Sequence, residues 1–193
     1  AKCLGIPTWI HQQDIAVGLA NKIMTPLAKT ITVSFNVLCN SFPKKNVLHL
    51  GNPVRDVVYS GKKNRAKKIF DVHTTLPVVL VVGGGTGAVA LNTLVCMALP
   101  QLAQAYEIIH VYGKGKAPVN LTALQKTHTT YHPYAFLTEG MPHAYALADI
   151  VVYRGGLGTL TEIAALKKPA ICVPKPGHQE KNAAYFAEKK ALI

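Results

Sequence analysis

Acidic residues are scarce: 9 Asp and Glu stand against 21 Lys and Arg in 193 residues, a formal charge of +12 at pH 7. That imbalance favours anionic partners, namely phosphates, nucleic acid or an anionic membrane face. Nucleic acid is not expected among them, because the chain has no recognition motif and no interleaving of aromatic with basic residues. Cysteine is also rare. Cys3, Cys39, Cys96 and Cys172 are widely spaced in apolar surroundings and form no Cys-x-x-Cys pair. This fits reduced thiols in a cytoplasmic protein better than a disulfide framework or a zinc site. No apolar run reaches the roughly 18 residues of a membrane-spanning helix. The longest, residues 76–82, ends in glycines and reads as a buried strand. Residues 2–7 show no signal-peptide pattern, and internal repeats and low-complexity segments are missing. What is present suffices for a packed core, with 49% hydrophobic and 16% charged residues and a mean hydropathy of +0.20.

Apolar runs alternate with amphipathic stretches. Strands are expected over 7–12, 30–35, 46–50, 77–82, 107–112, 131–136, 149–153 and 169–173. Helices are expected over 18–29, 88–102, 142–148, 159–166 and from 178 through 182. Strand–helix alternation with short connections predicts an α/β protein with parallel sheets. The β-branched run at 77–82 predicts a strand covered on both faces. A domain junction is placed near Val54, and the chain reads as a piece of a longer protein, cut at both ends. The densest charge run, residues 62–68, is either a solvated helix face or a contact with anionic lipid.

Glycine-rich turns follow three of the expected strands: Gly83-Gly84-Gly85-Thr86-Gly87-Ala88, Arg154-Gly155-Gly156-Leu157-Gly158-Thr159, and Pro174-Lys175-Pro176-Gly177-His178-Gln179. Turns of this kind let a backbone approach a ligand, and the helix that follows presents unpaired N–H groups to a phosphate. At the carboxyl ends of a parallel sheet they face one crevice, the usual ligand position. The pattern therefore predicts a nucleotide or sugar-phosphate site. No Gly-Lys-Ser/Thr follows Gly83, which excludes a P-loop. Gly83-x-Gly85-x-x-Ala88 matches the dinucleotide fingerprint, but the next strand ends at Tyr112-Gly113-Lys114 with no acid. Lys114 and Lys116 leave an NADP-binding oxidoreductase domain as an alternative. His128 and His132 lack the glutamate of a zinc-peptidase motif and are not expected to bind metal. Glu162, expected in the first turn of its helix, is either a helix N-terminal charge or an acceptor for ribose hydroxyls.

Taken in order, these segments resemble the MurG family of bacterial N-acetylglucosaminyltransferases. His11-Gln12-Gln13-Asp14 with Gly18-Leu19-Ala20-Asn21 is similar to the family's His-Glu-Gln-Asn and Gly-Leu-x-Asn. Gly51-Asn52-Pro53-Val54-Arg55 matches its Gly-Asn-Pro-Val-Arg without change. Gly83 to Ala88 stands where the family has Gly-Gly-Ser-Gln-Gly-Ala, and His110 to Lys116 resembles its His-Gln-x-Gly-Lys-Gly. Met141 to Asp149 fits Met-x-x-x-Tyr-x-x-Ala-Asp, Arg154 to Glu162 resembles Arg-Ser-Gly-Ala-x-Thr-x-x-Glu, and His178-Gln179-x-x-Asn182-Ala183 fits the loop that follows.

The resemblance implies a glycosyltransferase-B fold of two Rossmann-like domains. Residues 1–53 would be the C-terminal part of the acceptor-side domain, truncated at its start. Residues 54–193 would be the UDP-sugar domain, incomplete at its C-terminal end. It implies inverting transfer of N-acetylglucosamine from UDP-N-acetylglucosamine to a polyprenyl-diphosphate-linked muramyl peptide, lipid I to lipid II, without metal or cofactor. A related UDP-sugar transferase with another acceptor is an alternative. It also implies peripheral attachment to the anionic cytoplasmic face of the bacterial inner membrane. Donor contacts carry over to Arg55, Gly85, Leu137, Gly156, Leu157, Gly158, Thr159, Leu160, Thr161, Glu162 and Gln179. Leu137 would offer backbone to the uracil, Glu162 would hold the ribose hydroxyls, and the amides of residues 156–159 would face the diphosphate. Asp14 stands where the family uses an asparagine to reach the sugar. Gly85 replaces a serine, with Thr86 one residue later as a substitute hydroxyl. Gln12 replaces a glutamate and is no general base, so the catalytic base is left unassigned. The family's first glycine-rich loop would precede Ala1, and the 193-residue piece is expected to bind the donor without turnover.

Overall fold

The computed structural model describes residues 4–42, 46–84 and 88–189. Every ladder is parallel. A three-stranded sheet runs in the order β1 (Trp9–Gln12), β2 (Thr30–Val33), β3 (Asn46–His49). A five-stranded sheet is built from β4 (Val78–Val82), β5 (Glu107–Val111), β6 (Tyr131–Tyr134), β7 (Ile150–Tyr153) and β8 (Ala170–Cys172). Its spatial order is β6-β5-β4-β7-β8. The chain thus starts at the middle of this sheet, winds outward to one edge, and returns to wind toward the other. That doubly wound order opens a crevice between β4 and β7 at the carboxyl ends of the strands.

Helices cross between the strands: α1 (Leu19–Met24), α2 (Lys63–Phe70), α3 (Val89–Leu102), α4 (Leu121–Thr127), α5 (Met141–Leu147), α6 (Leu157–Ala165) and α7 (His178–Glu188). Strand β4 is apolar at every position because both its faces are covered. Val78, Leu80 and Val82 enter the larger core with Phe70, Ala144 and Ile163, whereas Val79 and Val81 enter a second cluster with Leu91, Val95 and Ile108. The charge run lies on α2, which buries Ala66 and Phe70 and leaves its lysines and Arg65 exposed. Gly61, just before α2, sits against α5 so closely that an added Cβ would lie 2.0 Å from the Pro142 carbonyl oxygen. Helix α7 returns to the smaller sheet, where Phe35 meets the rings of Tyr185 and Phe186 edge-on at 4.9 and 5.9 Å.

Two expectations need correction, and one helix was not expected. The helix expected over 18–29 stops at Met24 and continues as a tight 3-10 turn, Thr25–Leu27, where Pro26 lacks the N–H that a continuing α-helix needs. Residues 121–127, to which the sequence pattern assigns no element, form α4. Helix α6 starts at Leu157, two residues early, which moves Glu162 from the first turn to the second.

Candidate functional site

The crevice is built from the turns that leave β4, β7 and β8. After β4, Gly84 takes φ +77°, and Gly83 N–H donates to the Val111 carbonyl at 3.2 Å. Gly85 and Thr86 lie outside the described residues. After β7, Gly155 takes φ +89°, and an added Cβ there would stand 3.2 Å from Cys172 Sγ and 3.3 Å from Gln179 Cβ. Glycine is required at this position by both its backbone angle and its packing. The same contact sets Gln179, in the first turn of α7, beside the start of α6. Gln179 Oε1 accepts from the Lys175 N–H at 3.2 Å, and the Glu180 carboxylate accepts from the Gly177 N–H at 2.9 Å. A cavity of about 290 Å³ between the start of α3 and the β8 turn is lined by Ala88, Leu91, Lys116, Arg154, Val173 and Lys175. Its cationic rim suits an anion.

Helix α6 carries most of the remaining predicted residues. Leu157 and Leu160 send their side chains into the core, leaving only backbone for a ligand. An added Cβ at Gly156 or Gly158 would meet nothing within 4 Å, so the space above the helix start is open. Thr161 Oγ1 donates within its own helix and accepts from Asn52 Nδ2 at 3.0 Å. Glu162 is 13% exposed and held from two sides. Its Oε1 accepts from Arg55 Nε at 3.0 Å and from Nη2 at 2.7 Å, and its Oε2 accepts the Tyr145 hydroxyl at 3.0 Å. Burial, and then the neighbouring Glu162 charge, push the Tyr145 hydroxyl far above the usual tyrosine range, so it stays a donor. Leu137 is half-buried and packs on the core beside the start of α5.

The loop from the smaller sheet reaches the same region. Asp14 Oδ1 accepts from Asn182 Nδ2 at 2.8 Å, and Asn182 Oδ1 accepts from the Ile15 N–H at 3.0 Å. The extra negative charge of Asp14 is therefore partnered by α7, one turn beyond Gln179. Gln12 is 3% exposed. Its amide donates to the carbonyls of Asp14 and Ala16, at 2.6 and 2.9 Å, and its oxygen accepts from Gly18 N–H and Asn21 Nδ2.

One wall of the crevice is fixed by buried His110. Asn92 donates both amide hydrogens to the carbonyls of Tyr112 and Lys116, each at 3.0 Å. Its oxygen therefore faces a protonated His110 Nε2 at 3.0 Å, and His110 Nδ1 accepts the Tyr131 hydroxyl at 2.8 Å. Burial lowers the His110 pKa to about 4, so the ring is neutral. His132 pairs instead with Glu107 at 2.7 Å, at the opposite end of the sheet. Among the described residues no cluster of three or more His, Cys, Asp or Glu is placed to hold a metal. No helix among them is long and apolar enough to cross a membrane.

The structure thus brings Arg55, Thr161 and Glu162 together, and separately Gly155, Gln179 and Asp14 around the start of α7. Sequence reasoning gave no role to Tyr145, Asn52 or Asn182. Each stands inside a quoted motif, which was the available signal.

The doubly wound parallel sheet, with helix-opening glycine turns at its switch point, is the α/β fold of glycosyltransferase-B type proteins. The chain belongs to glycosyltransferase family 28: the model described as "Glycosyltransferase family 28 C-terminal domain" matches residues 78–193. That span includes the Gly83 turn, so the oxidoreductase reading of the turn gives way. Among curated relatives, a protein of Lachnoclostridium phytofermentans is 35% identical over 174 residues, 90% of this chain and 48% of that protein. A Staphylococcus aureus protein is 34% identical over 194 residues, 98% of this chain and 53% of its own. Both are named UDP-N-acetylglucosamine--N-acetylmuramyl-(pentapeptide) pyrophosphoryl-undecaprenol N-acetylglucosamine transferase. The crystal structure of Acinetobacter baumannii MurG superposes with a TM-score of 0.66 at 28% identity, covering 96% of this chain and 52% of that one. A UDP-GlcNAc 2-epimerase from Neisseria meningitidis, bound to UDP-GlcNAc, shares the fold at TM-score 0.64 and 16% identity, covering 94% of this chain and 56% of that one. The chain spans about half the length of the curated relatives it matches.

Proposed function

We propose that this chain supplies the donor site of a transferase that moves N-acetylglucosamine from UDP-N-acetylglucosamine to a polyprenyl-diphosphate-linked muramyl peptide, lipid I to lipid II. The observation that carries the reading is the half-buried Glu162 carboxylate, held by Arg55 and Tyr145 beside the glycine turn that opens α6. Residues 54–193 then form the donor domain, and residues 1–53 belong to the acceptor-side domain. Glu162 accepts the ribose hydroxyls, and the backbone of Leu137 meets the uracil. The amides at the start of α6, from Gly156 through Thr159, face the diphosphate, with Thr161, in the turn that Leu160 continues, holding the loop of Asn52 and Arg55 against them. Gln179 and Asp14 reach the sugar, and Gly85 and Thr86 complete the phosphate turn.

In this reading the acceptor hydroxyl attacks the anomeric carbon from the face opposite the diphosphate. The carbon–oxygen bond to the diphosphate breaks, UDP leaves, and the configuration inverts. Helix N-terminal amides and Arg55 stabilise the charge growing on the leaving diphosphate. The attacking hydroxyl loses its proton to a base that no residue of this chain is assigned to be. The excess of cations, among them the exposed row on α2, favours residence at the anionic cytoplasmic face of the membrane, where a polyprenyl-diphosphate acceptor sits.

Thermal unfolding with added ligands separates this reading from a dinucleotide one. UDP and UDP-N-acetylglucosamine should each raise the melting temperature in a concentration-dependent way, by linkage to the folded state. NADPH should not. The reverse order of effects would contradict the proposal.

A further inference from the structure

The Glu162 carboxylate offers about four lone-pair positions. Three are filled: two N–H groups of Arg55 occupy Oε1, and the Tyr145 hydroxyl occupies Oε2. A ribose diol brings two donors to one remaining position, so one present partner has to yield. The two partners differ sharply in freedom. The Arg55 side chain is 66% exposed and arrives from the loop after β3. Tyr145 is 1% exposed, packed inside α5 among core residues, with no room to swing away. Among the described residues its hydroxyl has one hydrogen-bond partner, the carboxylate 17 residues further along the chain.

We infer that Tyr145 is the positioning residue of the ribose subsite: it pins Glu162 Oε2, so that Oε1, once released by Arg55, meets the ribose hydroxyls in one fixed orientation. The inference rests on the ribose reading of Glu162 given above. Without Tyr145 the carboxylate rotates about its terminal bond, and a diol no longer finds both acceptors in place. Tyr145 then governs discrimination between ribose and deoxyribose, because only a fixed carboxylate rewards the 2′-hydroxyl.

The test uses the 193-residue chain, with UDP and 2′-deoxyuridine diphosphate as probes in calorimetric titration. Wild type should bind UDP about tenfold tighter than the deoxy analogue, the worth of one hydrogen bond to a charged acceptor. Tyr145→Phe keeps the ring and its packing, so its melting temperature reports the fold independently. The variant should bind UDP several-fold more weakly, bind the deoxy analogue nearly as before, and bring the ratio of the two close to one. A merely structural role would weaken both ligands equally. Glu162→Gln separates the two levels of the argument. A ratio lost in Glu162→Gln but kept in Tyr145→Phe overturns the role given to Tyr145 and leaves the ribose reading standing. A ratio kept in Glu162→Gln overturns the ribose reading, and this inference with it.

Discussion

The Gln12 side chain makes four hydrogen bonds, and two of them require a donor. Its amide nitrogen gives one hydrogen to each of the Asp14 and Ala16 carbonyls, and its oxygen takes one each from Gly18 and Asn21. A glutamate here would set a carboxylate against two carbonyl oxygens. The departure from the family's glutamate is thus a residue that shapes the loop carrying Asp14, a role that its identity alone does not disclose. His110 acts similarly on the 112–116 loop, through Asn92. Its buried ring titrates at about 4, against 6.5 in a free side chain. Because the folded pKa is the lower one, the unfolded chain binds more protons between these values, and stability rises with pH across the window. Denaturant unfolding should show about 2 kcal/mol of stability lost from this group between pH 7.5 and pH 5. His110→Gln should flatten the pH dependence by that amount while lowering stability at pH 7.5. An equally steep profile in the variant would contradict the assignment of a neutral, buried ring.

Elements whose periodicity was strong were legible in the sequence. Strand β4 reads directly from its β-branched run, and helices α3 and α6 from the glycine turns that open them. Helix α4 was not legible. Its seven residues, Leu-Thr-Ala-Leu-Gln-Lys-Thr, are too short to show a period and bury no side chain completely. The close approach of Gly61 to Pro142 was hidden for a different reason, since it depends on α5 arriving 81 residues later. Within α6, Gly158 illustrates how packing and ligand binding make opposite demands. An added methyl would touch nothing in the protein, and glycine inside a helix costs about 0.5–1 kcal/mol relative to alanine. Gly158→Ala should therefore stabilise the fold by about that amount. It should also weaken UDP binding by roughly tenfold, about 1.4 kcal/mol, by placing a methyl where the diphosphate approaches. Denaturation and titration of one preparation check both halves; a stabilised variant with unchanged UDP affinity would remove the diphosphate from that helix start.

At the scale of the molecule, two parallel sheets are joined by side-chain pairs that no local pattern announces. Arg55 and Glu162 lie 107 residues apart, and Asp14 and Asn182 lie 168 apart. The fold class and the glycine turns were legible because they are local. The pairing of the site was not, because it is made only when the loop after β3 meets α6 and the loop after β1 meets α7. Packing of Phe35 on Tyr185 and Phe186 completes the second junction, beside the pairing of Asn182 with Asp14. The central claim is that this assembly is a UDP-sugar site organised around one carboxylate. The most direct measurement is calorimetric titration of UDP into the chain and into Glu162→Gln. The account predicts one bound UDP per chain, with affinity falling about tenfold or more in the variant while unfolding stays cooperative. An unchanged UDP affinity in Glu162→Gln, or no UDP binding by the folded wild-type chain, would contradict it.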